Sequence, residues 1–140
     1  MAYEHTEKGL IMTFQAEVAF AEAFVVCVLG TDAGEVKKPA AVTDTPFGVV
    51  KDTASAGQSI PVQMDGVTKV VANGAFSKGD QLAIAATTGR VDTVTGLDSS
   101  FDNSGGPFTA QKPFGLALEA ATGAGEIVSM LIRPFFYPWS

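Results

Sequence analysis

The 140-residue chain has room for one ordinary domain and not for two well-filled ones. Its 15 acidic residues outnumber 9 basic ones, and the resulting net charge of -6 opposes the phosphate neutralisation on which binding to nucleic acid or to an anionic membrane surface depends. Apolar residues at 46%, charged residues at 17% and 15 glycines describe a lightly charged, turn-rich globular protein, expected to have one core.

Residues 1–15 begin polar and end with Leu10, Ile11 and Phe14, which suits an N-terminal arm that orders against another chain. No basic region is followed by an apolar one, so no secretory signal is expected there, and the only histidine, His5, reads as a solvated arm residue. Residues 16–133 are expected to form one β domain. In "EVAFAEAFVVCVLG" the recurrence of Phe20, Phe24 and Val28 fits a helix, but the corresponding later segment, "AFSKGDQLAI", has Gly79 where that helix would continue, so residues 24–29 are read as a strand. Cys27 lies inside this run as a small buried group; being the only cysteine, it excludes an intrachain disulfide and a cysteine-based metal site.

Short β-branched or aromatic runs bounded by turn residues predict further strands at 47–51, 58–64, 67–72, 81–85, 90–94, 113–118 and 126–133. Asp65-Gly66 separates two of them and predicts a hairpin. Pro61, lacking an N–H, belongs on an edge or at a bulge. Residues 96–111, rich in Gly, Ser, Asp and Asn, are expected to form an exposed loop that carries Phe101 and Phe108. Its Asp98, Asp102 and Asn103 lack the alternating ligands and closing glutamate of a calcium loop, so no metal is assigned. The tail, 134–140, sets Phe135, Phe136, Tyr137 and Trp139 between Pro134 and Pro138, an extended aromatic segment able to fold back on the domain or to dock on a neighbour.

The chain repeats itself. Pro46-Phe47-Gly48-Val49 matches Pro113-Phe114-Gly115-Leu116; Ala54 and Gly57 match Ala121 and Gly125; Ile60 matches Ile127 or Val128. Upstream, 19–36 aligns with 75–91, bringing Gly34-Glu35-Val36 opposite Gly89-Arg90-Val91. The halves are placed at about 19–64 and 75–132. Phe47 and Phe114 become matching core anchors, each preceded by a proline that fixes chain entry and followed by a glycine that permits close approach. The fold class is all-β: a small sandwich or partly open barrel built from two similar halves, with extended N- and C-terminal arms.

Chemistry is sparse. One histidine cannot furnish a Ser-His-Asp relay, no phosphate-binding glycine motif is present, and the carboxylate pairs Glu17/Glu22 and Asp98/Asp102 read as solvated. No catalytic, cofactor or metal residues are assigned, and the chain is read as a non-enzyme.

The order and spacing of "VVANGAFSKGDQLAIAATTGRVDTV" and "KPFGLALEAATGAGEIVSMLIRP" resemble the small capsid cement, or head decoration, proteins of tailed bacteriophages, and "FGVVKDTASAGQSIPVQMDGV" fits the segment that precedes them. The likeness spans roughly residues 16–133. It implies a structural virion protein, assembled in the host cytoplasm, that binds the outer surface of an icosahedral head and bridges coat subunits. The implied partners are the major capsid protein and further copies of itself, a trimer favoured over a dimer, with no cofactor, nucleic acid or membrane. The expected contacts are Leu10, Ile11, Phe14, Phe101, Phe108, Phe135, Phe136, Tyr137 and Trp139. The alternatives are another virion or adhesion module, such as a tail or fibre domain, and a sugar-binding sandwich stacking Tyr137 or Trp139 on its ligand.

Overall fold

The computed structural model describes residues 9–94 and 112–133. Ten strands make up its regular structure: β1 (Ile11–Ala16), β2 (Val26–Leu29), β3 (Glu35–Lys37), β4 (Gly48–Val50), β5 (Ser59–Gln63), β6 (Gly66–Val71), β7 (Gln81–Ile84), β8 (Val91–Thr93), β9 (Gly115–Ala117) and β10 (Ile127–Ile132). The first five close into a barrel in the order β1-β3-β2-β4-β5, and the last five form a sheet in the order β6-β10-β9-β7-β8.

The two sheets repeat one strand pattern, with matching bonds at most positions. Phe20 and Ala54 exchange both backbone hydrogen bonds, at 2.8 and 3.0 Å, as do Phe76 and Ala121, at 3.0 Å each. Gly57 N donates to Ala16 O as Gly125 N does to Ala72 O, and both glycines hold the positive φ, 86° and 89°, that the turn requires. Leu29 opposes Val36 as Ile84 opposes Val91. Val50 opposes Val62 as Ala117 opposes Met130, and from this register Ile60 corresponds to Val128.

The register also moves the limits of the repeat. Phe14 opposes Ile60 on β1 and β5 as Val70 opposes Val128 on β6 and β10, so each half begins one strand earlier than the sequence alignment placed it. Residues 11–15, expected as part of an arm, belong to the first barrel. Asp65-Gly66 does not make a hairpin, because β5 pairs with β1 and β4 while β6 pairs with β10. The turn instead hands the chain from one half to the next, with Gly66 at φ 82°. Pro61 lies in an interior strand at the end of a ladder: its carbonyl accepts from Lys51 N at 2.9 Å, and its missing N–H rules out the reciprocal bond.

The halves differ at one seam. In the first, β1 runs parallel to β3, with Gln15 N donating to Gly34 O and Glu17 N to Val36 O. In the second, a single parallel bridge, Ala72 to Val91, marks the corresponding closure. The rest of that gap is filled by the first half: Val71 N donates to Phe24 O at 2.9 Å and Val26 N to Gly89 O at 2.7 Å. The stretch 24–26 thus acts as a stave in the seam of the second sheet while leading into β2 of the first barrel. Gly89 is required there, since a Cβ would fall against the Val26 backbone.

This sharing explains why "VVCV" is apolar at every position. Val26, Val28 and Val49 belong to the core cluster of the second half, with Leu82, Ile84, Phe114 and Met130. Val25, Cys27 and Val50 belong to the cluster of the first, with Phe20, Ile60, Val62 and, from the second half, Val71. The protein therefore has two core clusters, each completed by the other half, where composition suggested one. Strand β2 starts at Val26 instead of residue 24, because Phe24 takes a left-handed φ of 63°.

The Pro-Phe-Gly motifs are matched in their glycines. A Cβ on Gly48 would meet the Val62 side chain, and one on Gly115 the Met130 side chain, so both let β4 and β9 approach the following strand closely. Their phenylalanines diverge. Phe114 is 1% exposed, whereas Phe47 is half-buried and meets Phe14 edge-to-face at 5.2 Å.

Candidate assembly surface

Of the residues singled out from sequence, Phe101, Phe108, Phe135, Phe136, Tyr137 and Trp139 lie outside the described residues, as do His5, Asp98, Asp102 and Asn103. Leu10 and Ile11 stand at the start of β1, 53% and 43% exposed, followed by Met12 at 49%. Phe14 turns inward and packs on the first core cluster and on Phe47.

Hydrogen bonds at the β5–β6 turn fix the position of this exposed trio. Leu10 N donates to the Asp65 carboxylate, and Leu10 O accepts from Met64 N at 2.9 Å. The buried Gln63 amide donates to Asp65 O at 2.8 Å and to Val67 O at 3.0 Å, which ties the turn to β6. Gly9 passes so close to Gly66 that a Cβ on either would strike the other segment. On its other side Gly66 is the pairing partner of Ile132, the last residue of β10. Gly9, the first described residue, and Ile132, the end of β10, thus flank Gly66, and this is the exit of the described domain. Around this exit, Leu10, Ile11, Met12 and Val67 expose apolar side chains, and Leu131 and Leu116 continue the row across β10 and β9.

Sequence reasoning missed Gln63 and Asp65 as the residues that build the exit. The available signal was Asp65-Gly66 itself, which was read as joining two paired strands. Glu22, expected to be solvated, accepts two bonds from Arg90, at 3.1 and 3.0 Å, and clamps the first half to the second. Glu17 accepts from Thr31 N, and hydrogen bonding from Thr31 holds its carboxyl below the ordinary value. Cys27 is fully buried, and desolvation pushes its thiol up to about 12, far from a reactive thiolate. No cluster of three or more metal-ligating side chains occurs among the described residues. A shallow open groove between β2, β3 and the 40–47 segment is lined by Leu29, Lys37, Asp44 and Phe47.

A family model described as phage cement protein matches residues 6–133. The chain belongs to the phage cement protein family. Membership makes this cement protein a structural component of a phage virion, in a class of structural proteins rather than of enzymes. Among solved structures it is similar to the head fibre gp8.5 N base of bacteriophage phi29, with a TM-score of 0.62 and 21% identity over 89% of this chain and 94% of that one. At that identity the likeness speaks to the fold, which both chains share nearly end to end. No curated protein matches.

Proposed function

We propose that this cement protein binds the outer surface of an icosahedral phage head and stabilises it by bridging coat subunits. The observation that carries the proposal is the family match over nearly the whole described domain. The geometry supports it: a domain braced by cross-half hydrogen bonds and an ion pair brings Gly9 and Ile132 to Gly66, beside exposed apolar side chains. Leu10, Ile11, Met12 and Val67 are the surface contacts in this reading, joined by Phe101, Phe108, Phe135, Phe136, Tyr137 and Trp139. Copies associate with one another, as trimers in preference to dimers, and many weak contacts to a lattice sum to a strong cage by avidity. The fold shared with a head fibre base favours a place on the head over one on the tail.

The test is to separate a lysate of infected cells on a density gradient and probe for this protein and for the coat protein. Co-migration with heads at a fixed copy ratio is expected. Signal on free tails, or only in soluble fractions, would overturn the reading.

A further inference from the structure

Where the two halves meet, two lysines converge on one aromatic ring. Lys51 follows β4 and Lys69 lies on β6, and both ammonium groups stand over the ring of Phe24, at 5.3 and 6.0 Å from its centroid. Lys51 Nζ donates to Thr68 Oγ1 at 2.8 Å, and that hydroxyl donates onward to Lys69 O at 3.2 Å. Lys51 is half-buried, and burial together with the neighbouring Lys69 holds its ammonium below the ordinary lysine value. Among the described residues the one ion pair is Arg90 with Glu22, so neither lysine is neutralised there.

The feature beneath them is unusual. Phe24 is one of two non-glycine residues with positive φ among the described residues, and it occupies the position that Gly79, at φ 91°, holds in the second half. The equivalence rests on matching bonds, Phe24 N to Val50 O and Gly79 N to Ala117 O. A bulky aromatic in the left-handed region is strained where glycine would not be, and such strain concentrates at functional positions. Here it places a π face beneath two ammonium groups that repel each other, in a chain whose acids outnumber its bases.

We infer that Lys51, Lys69 and the Phe24 ring form a site for a carboxylate supplied by an acidic segment of a partner protein. Lys51 and Thr68 fix one side of the anion and Lys69 the other; Phe24 holds both cations in place while the site is empty. A carboxylate suits the site better than a phosphate carried on nucleic acid or lipid, since those polyanions meet the net charge of -6 over the whole surface. On the head-binding reading, the partner is a coat subunit.

Two measurements test it, both on the full chain. First, the Lys side-chain Cε signals are followed by NMR during titration with sodium acetate, sodium phosphate or sodium chloride at matched ionic strength. Acetate should shift Lys51 and Lys69 together and saturably, raise the Lys51 pKa, and lose both effects in Lys69→Met. A response to phosphate alone, or none beyond chloride, overturns the inference. Second, K51M/K69M is compared with the parent for head binding, after circular dichroism shows that it is folded. A drop of about tenfold or more in affinity, the scale of one charge-assisted hydrogen bond, supports a coat carboxylate. Unchanged affinity overturns that assignment and leaves head binding standing. Failure of the parent chain itself to bind heads strikes the proposed function, and the acetate titration still decides the site.

Discussion

Phe47 and Phe114 occupy the same place in the repeat, yet their removal should not cost the same. Phe114 is 1% exposed inside the second core cluster, where Val26, Val28 and Val49 of the first half seal it. Truncating such a ring to alanine costs about 3–5 kcal/mol. Phe47 is half-buried on the open groove beside Leu29, and its main aromatic partner, Phe14, is itself half-buried. About half the transfer term is at stake there, and the site can relax toward solvent, giving about 1.5–2.5 kcal/mol. A chain of this size unfolds with an entropy near 0.3 kcal/mol per degree, so the midpoint should fall by about 10–17 °C for Phe114→Ala and about 5–8 °C for Phe47→Ala. Thermal and urea unfolding followed by far-ultraviolet circular dichroism measure both. Equal losses, or a larger loss at Phe47, would refute the view that burial, and not the shared place in the repeat, sets what each ring contributes.

Gly115→Ala should destabilise by about 1–3 kcal/mol through overpacking on Met130, and shortening that neighbour in Gly115→Ala/Met130→Val should recover part of the loss in urea titrations. The Cys27 thiol, held near 12 by burial, should resist iodoacetamide in the native protein at pH 8 and react at the rate of a free thiol in denaturant, as mass spectrometry would show. Asp44 and Glu126 have carboxyls below their ordinary values, the first through the N–H groups of Ala40 and Ala41, the second through the Thr122 hydroxyl and N–H. Depressed carboxylates contribute stability that is complete above the unfolded carboxylate range of about 4 and is lost as pH falls through the lower folded values. The urea midpoint should therefore decline below that range, and less steeply in Asp44→Asn.

Much of the fold was legible because duplication imposes two constraints on each position. Gly79 removed the helix that Phe20, Phe24 and Val28 suggested, and the paired bonds of Phe20 with Ala54 and Phe76 with Ala121 fall where the alignment of the halves put them. The limits of the repeat were hidden for physical reasons. β1 exposes Ile11, Met12 and Thr13 in succession, so it lacks the alternation of a half-buried strand, and its pairing with β3 is parallel and joins distant residues. Asp65-Gly66 has the composition of a hairpin turn, and only the partners of β5 and β6 reveal that it separates the halves. The exit surface was half legible: exposed Leu10 and Ile11 stood out as apolar residues near an end, but the convergence of Gly9, Gly66 and Ile132 arises from pairing between strands far apart in sequence.

The stave at 24–26 makes the order of the halves along the chain irreversible. The first half closes on its own strands, whereas the second needs the Phe24 carbonyl and the Val26 amide to fill its seam. During synthesis the half whose strand ladder closes on itself leaves the ribosome first, lacking only the Val71 contribution to its core; with the halves exchanged, an open seam would emerge first with nothing to fill it. The same dependence sets the two seams apart: the first is closed by β1 against β3, whereas the second is closed only with the 24–26 stretch of the other half in place.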